Sequence, residues 1–307
     1  MNVDGTSIVV GVDGSQPARA ALRWAAEHAE RWGCELVVVH VLDEHPAAGG
    51  MLAGSAAVPP CDVDALLSTE RRVAEVAAPS VSVRTELLIG DPVWSLARSF
   101  PAARAIVVGT HKTGFLRGSA FGSRSLQLAG VSLAPVIVVP SVGSLLGSAV
   151  VVGIDDSPDG EAALAFATAR ARDEGRELVL TRCVAARASA GLRSDTEEKA
   201  ASAELAAARR RVALLAPDLN TRSRVVHGFP AQALIRASTR AALLVVGRSQ
   251  SSASPAALGR VTHDVLLNMG VPTAVIGATP TRATGTSDDG TFDPGGASPR
   301  GRSYGHD

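Results

Sequence analysis

The residues best suited to chemistry in this 307-residue chain crowd into one stretch, VVGTHKTGFLRGSAFGSRS, at positions 107–125. Gly109, Gly114, Gly118 and Gly122 fall within fourteen residues, with Lys112, Arg117 and Arg124 in or beside them. The stretch begins as a buried apolar strand and ends where a helix can open. A helix N-terminus presents free N–H groups and partial positive charge, which suits phosphate. Glycine lets the backbone come close to such an anion. Asp13 follows the first apolar run, IVVGV. Its carboxylate suits ribose hydroxyls or the amine of a base, so the two features together point to a nucleotide. The loop is not a G-x-x-x-x-G-K-[ST] phosphate loop, and no G-x-G-x-x-G follows the first strand, which argues against a dinucleotide fold.

These residues need a frame, and the chain supplies it twice. SIVVGVDGSQPARAALRWAAEHAERWGCELVVVHV opens the first half and SAVVVGIDDSPDGEAALAFATARARDEGRELVLTRCV the second. Asp13 matches Asp155, AIVVGT at Ala105 matches ALLVVGR at Ala242, and APVIVVP at Ala134 matches VPTAVIG at Val271. The offset of about 140 residues is domain-sized. A tandem of one domain follows. In the first copy, strands are expected over 8–12, 36–42, 81–88, 105–109 and 136–139, and helices over 17–31, 63–77, 92–100 and 123–128. Val-rich runs with little polar alternation suit strands covered on both faces. Their alternation with helices gives a parallel sheet with right-handed crossovers. Such sheets bind ligands beyond the carboxyl ends of the strands, where strand order reverses. If the strands ending at Asp13 and Gly109 are neighbours there, carboxylate and loop face one crevice.

Composition narrows the class. Hydrophobic residues are 46% of the chain but aromatics only 3%, so the cores are aliphatic. The formal net charge is +0, which makes nucleic acid a poor default partner. Cys34, Cys61 and Cys183 are widely separated, with no C-x-x-C pair, and fit a reducing compartment. No apolar run approaches the roughly 20 residues of a membrane span. The expectation is a cytoplasmic protein of two domains, 1–141 and 148–280, joined by SVGSLLGS, with a Gly-, Ser- and Asp-rich tail over 281–307 read as disordered. The last strands of both halves are apolar and would leave open sheet edges, so the halves are expected to pair as a pseudo-dimer.

Several motifs make the chain resemble the universal stress protein family in its tandem form. They are IVVGVDGS, LVVVHV, the GDP at Gly90, and the Gly109 loop closing at Gly122-Ser123 before APVIVVP. The resemblance implies two tandem Rossmann-like α/β domains of the adenine nucleotide alpha hydrolase-like type. Each is a five-stranded parallel sheet in order 3-2-1-4-5 with helices on both faces. ATP-binding members carry Gly, two residues, Gly, nine residues, then Gly-Ser or Gly-Thr. Here the spacing is intact, but Lys112 stands at the second glycine. By the resemblance, Asp13 and the backbone of Val41 would hold adenine and ribose, and Gly109, Gly122 and Ser123 the phosphates of ATP or AMP, with Mg2+ as a companion ion. Lys112 has three readings: a cation for phosphate, an obstruction in the triphosphate's path, or a solvated loop side chain. Arg117 and Arg124 lean toward solvent. In the second copy Gln250 takes the glycine position, eight residues separate it from Gly259, and Arg260 replaces the serine, which marks a degenerate site.

The leading function is thus a regulatory adenine-nucleotide-binding protein of the stress response, acting through its first domain on an unknown protein partner. The alternative is an interaction scaffold that binds no nucleotide. No nucleophile or catalytic base is evident, so at most weak ATP hydrolysis is expected. His40 reads as a packed strand residue, and Ser15 and Ser157 as helix N-caps rather than nucleophiles.

Overall fold

The computed structural model describes residues 7–43, 63–110, 124–141, 147–185, 195–248 and 258–278. His111, Lys112, Arg117, Gly122, Ser123, Gln250, positions 142–146 of the linker and the tail over 281–307 lie outside them.

The first half runs β1 (Ser7–Gly11), α1 (Gln16–Trp32), β2 (Glu35–Leu42), α2 (Val63–Ala77), β3 (Val83–Ile89), α3 (Pro92–Ser99), β4 (Ala105–Thr110), α4 (Arg124–Val131) and β5 (Val136–Pro140). The second repeats the pattern with β6 (Ala149–Gly153), α5 (Pro158–Asp173), β7 (Glu177–Val184), α6 (Asp195–Leu215), β8 (Thr221–His227), α7 (Pro230–Ala237), β9 (Ala241–Gly247), α8 (Arg260–Asn268) and β10 (Thr273–Ile276). Helix starts follow their local chemistry. Ser15 Oγ accepts from Ala18 N, Ser157 Oγ accepts from Gly160 N, and prolines occupy the first turns of α1, α3, α5 and α7, where a missing N–H costs nothing.

Within each half the strand order is the anticipated one, β3-β2-β1-β4-β5 and β8-β7-β6-β9-β10. The two are not separate sheets. β5 pairs antiparallel with β10, Ile137 opposite Ala274, so one ten-stranded sheet crosses the whole molecule. The pairing hides the two edges that the apolar terminal strands would otherwise expose. The helical layers are continuous as well. One core joins residues of α1 and α2 to those of α5 and α6 over one face of the sheet. The other joins α3 and α4 to α7 and α8 over the opposite face.

The halves also meet through α1 and α5, at matching positions. Trp24, His28 and Trp32 correspond to Phe166, Arg170 and Glu174. Trp32 Nε1 donates to Glu174 Oε1 at 3.0 Å, and the Arg170 guanidinium lies over the Trp32 ring, 4.2 Å from its centroid. Phe166 meets the same ring edge-on. His28 stacks on Trp24 with 3.6 Å between centroids, and its Nδ1–H donates to the Trp24 carbonyl at 2.7 Å. Burial drives the His28 pKa down to about 4, against the pull of Glu174. The 3.8 Å approach of His28 Nε2 to Glu174 is therefore not an ion pair at neutral pH.

Candidate functional site

β1 lies between β2 and β4, and the order in which successive strands are added reverses at this point. The carboxyl ends of these three strands open into a cavity of about 380 Å³, within the range of small-molecule sites. Its floor is apolar: Val12, Val39, Val41 and Val108 from the strand ends, Val93 and Leu96 from α3, and Leu128 from α4. Its polar lining residues are Asp13 and Ser15 before α1, Thr110 at the end of β4, and Arg124 and Ser125 at the start of α4.

Asp13, Val41 and Gly109, three of the residues singled out from sequence, line this one cavity. Asp13 is exposed and accepts from Ser15 N at 3.0 Å. Gly109 has a packing reason to be glycine, because a Cβ there would overlap the Pro17 carbonyl at the start of α1. Lys112, Gly122 and Ser123 lie outside the described residues. Arg124, read from sequence as leaning to solvent, keeps a side chain 65% exposed but has a partner, Asp43, whose Oδ2 accepts from its Nη2 at 2.8 Å. That pair runs from the end of β2 to the start of α4, beside the cavity. The wall from α3 was not anticipated. Its signal was the GDP motif, since Asp91 caps α3 through Val93 N and Trp94 N and thereby sets Val93 and Leu96 over the strand ends.

His40 is a packed residue. Its Nδ1 stands 2.8 Å from the Val12 carbonyl oxygen, an acceptor only, so Nδ1 carries the proton. It ties β2 to the residue just before Asp13 and is not among the residues that line the cavity. Among the described residues, no three His, Cys, Asp or Glu side chains gather as a metal site, and no helix is long and apolar enough to cross a membrane.

The corresponding ends of β6, β7 and β9 are tied to their own surroundings. Asp155 accepts from Ser157 N at 3.0 Å and from Ser157 Oγ at 2.5 Å. It folds so close to α5 that a Cβ at Gly160 would overlap it, whereas the first half carries Ala18 there. Asp159 accepts from Ala278 N at 2.6 Å. Thr262 Oγ1 donates to the Gly247 carbonyl at 2.7 Å and Gly259 N to the Arg248 carbonyl at 3.0 Å, drawing the start of α8 onto the end of β9.

Comparison with known proteins agrees with this architecture. The family model described as Universal stress protein family matches twice, over residues 6–140 and 148–277. Universal stress protein Rv2005c of Mycobacterium tuberculosis (strain ATCC 25618 / H37Rv) is 30% identical over 284 residues, covering 87% of this chain and 96% of that one. A universal stress protein of Mycolicibacterium smegmatis (strain ATCC 700084 / mc(2)155) is 28% identical over 284 residues, covering 88% and 96%. Among solved structures, the crystal structure of a universal stress protein from Archaeoglobus fulgidus DSM 4304 superimposes with a TM-score of 0.64 over 90% of this chain and 98% of that one. At 17% identity that likeness speaks for the fold alone. With both halves matched separately, the chain belongs to the universal stress protein family, as a tandem of two of its domains.

Proposed function

We propose that the first half binds an adenine nucleotide, ATP or AMP, in the cavity at the ends of β1, β2 and β4, and that the second half does not. The observation that carries this reading is the cavity's polarity: an apolar slot with a carboxylate at one wall and a helix start bearing Arg124 and Ser125 at the other. A flat aromatic base fits the slot between Val39, Val41, Val93 and Leu96. Asp13 would accept from ribose hydroxyls, and Val41 would offer its backbone to the base. The N-terminal end of α4 suits phosphate for the reason any helix N-terminus does. By the family's spacing Gly109, Gly122 and Ser123 are the loop residues that would hold the phosphates, with Lys112 at the second glycine position. Mg2+ would arrive on the phosphates, needing only one or two oxygen ligands from the protein.

The role that follows is regulatory. Nucleotide occupancy would be read by a protein partner in a cytoplasmic stress response. Arg124 sharpens the chemistry, because a bound phosphate would compete with Asp43 for the guanidinium. Calorimetric titration of the full chain with ATP, AMP and adenosine tests the reading. Arg124→Ala should weaken ATP by about tenfold, the scale of one charged contact, and leave adenosine nearly unchanged. Lys112→Gly should tighten ATP, since it removes an obstruction and restores the family's second glycine. Loss of ATP affinity in Lys112→Gly would instead make Lys112 a phosphate ligand, and failure of the natural chain to bind any of the three ligands would end the nucleotide reading.

A further inference from the structure

Arg248 is the first residue beyond β9, and its counterpart in the first half is Thr110. Its side chain runs past the end of β10 toward the first half. It is buried, 5% exposed, and crosses the joint between the halves. Nη1 donates to the Gly130 carbonyl at 3.2 Å and to the Ser132 carbonyl at 2.9 Å. These oxygens belong to the C-terminal end of α4, where helix carbonyls lack intrahelical partners and the helix dipole favours a cation. α4 has no basic residue of its own in its last turn. The root of Arg248 is fixed too: its N–H donates to Ile276 O at 2.8 Å and its carbonyl accepts from Gly259 N. The guanidinium reaches α4 by passing over Gly277, where a Cβ would overlap it. The first half has Pro140 at that place. Arginine and glycine thus occur together in one half, and the arrangement runs one way only.

The other end of α4 faces the cavity through Arg124, Ser125 and Leu128. α4 is short, eight residues, and packs chiefly on α3. A helix of that length spans only about 12 Å, so a hold on its last turn constrains its first. We infer that Arg248 is a positioning residue for the first half's ligand site: from the end of β9 it acts as a strut that sets α4, and with it the phosphate end of the cavity. The ligand part of this inference rests on the nucleotide reading above. The structural part does not.

The test uses the full chain and two routes to the same loss. Arg248→Met removes the donors. Gly277→Ala leaves Arg248 in the sequence but pushes aside the flexible end of its side chain. Arg248→Lys keeps a point charge that can serve one carbonyl, so it should fall between the natural chain and the methionine variant. Without ligand, amide exchange in 124–131 should quicken by roughly tenfold in both main variants, while α1 stays protected. ATP affinity should fall about three- to tenfold in both, with adenosine within about twofold. Unchanged exchange in 124–131 would overturn the strut, whatever the affinities do. Equal losses for ATP and adenosine would overturn the link to the phosphate end. If the natural chain binds neither ligand, the nucleotide reading and the ligand link fail together, and the exchange data alone decide whether Arg248 holds α4.

Discussion

The two halves share one fold and differ in what their strand ends do. In the first, Asp13 sits at a cavity wall and Arg124 pairs with Asp43 beside the opening. In the second, Asp155 is bound by Ser157, Asp159 is held by Ala278 N, and the start of α8 is tied to Gly247 and Arg248. Backbone topology is the same in both, so the difference between the two sets of strand ends lies in their side chains. The joint between α1 and α5 shows a similar divergence. Matching positions carry Trp24, His28 and Trp32 on one side and Phe166, Arg170 and Glu174 on the other. One side supplies two indoles and an imidazole, the other a phenyl ring and two opposite charges, so the halves complement each other where two identical copies would not.

The largest effect should come from breaking that joint. Trp32→Ala removes a buried ring, the Nε1–H donor to Glu174 and the surface on which Arg170 lies. It should destabilise the chain by about 3–5 kcal/mol, read from the midpoint of denaturant unfolding. A loss near that of a surface substitution would mean that the α1–α5 contact adds little to what holds the halves together.

Next in size is the pH dependence of His28. Its pKa falls from 6.5 to about 4 on burial. The unfolded chain therefore binds a proton between these values that the folded chain does not. Its contribution is fully present above pH 6.5 and is lost as pH falls toward 4, at most about 3 kcal/mol. Unfolding measured at pH 7, 5.5 and 4 should show the decline, and His28→Phe should flatten it. A natural chain with no decline between pH 6.5 and 4 would place His28 in water rather than in the joint.

A smaller effect separates α3 from α7. Asp91 caps α3 with two backbone hydrogen bonds, whereas Phe229, at the same place before α7, makes no side-chain cap bond and is 70% exposed. Phe229→Asp should raise stability by about 1 kcal/mol, and Asp91→Ala should lower it by a similar amount. Thermal melts of the two variants provide the comparison. A destabilising Phe229→Asp would show that the ring contributes packing that outweighs a cap.

Much of the fold was legible because its signals are local. The helix expected over 63–77 is α2, Val63–Ala77, and the Val-rich runs became strands within one or two residues. Proline and serine placed the starts of α1 and α5 for the reasons given by their caps. Asp13, Val41 and Gly109 come together in the strand order that the family resemblance implied. Contacts that depend on how the halves join were not legible. Nothing near Arg248 in the chain points to Gly130 or Ser132, more than a hundred residues earlier, until β5 meets β10. Arg124 looked like a solvated residue because its partner, Asp43, is 81 positions away. The contribution of Val93 and Leu96 depends on α3 packing over β2, which periodicity within α3 does not specify.

Calorimetric titration of the full chain with ATP tests the division between the halves most directly. One ATP should bind per chain. Asp13→Ala should weaken binding by at least about tenfold, as expected for a lost charged contact, and Asp155→Ala should leave it within about twofold. Two equivalents per chain, or binding that survives Asp13→Ala and disappears with Asp155→Ala, would contradict an open first site and a closed second one.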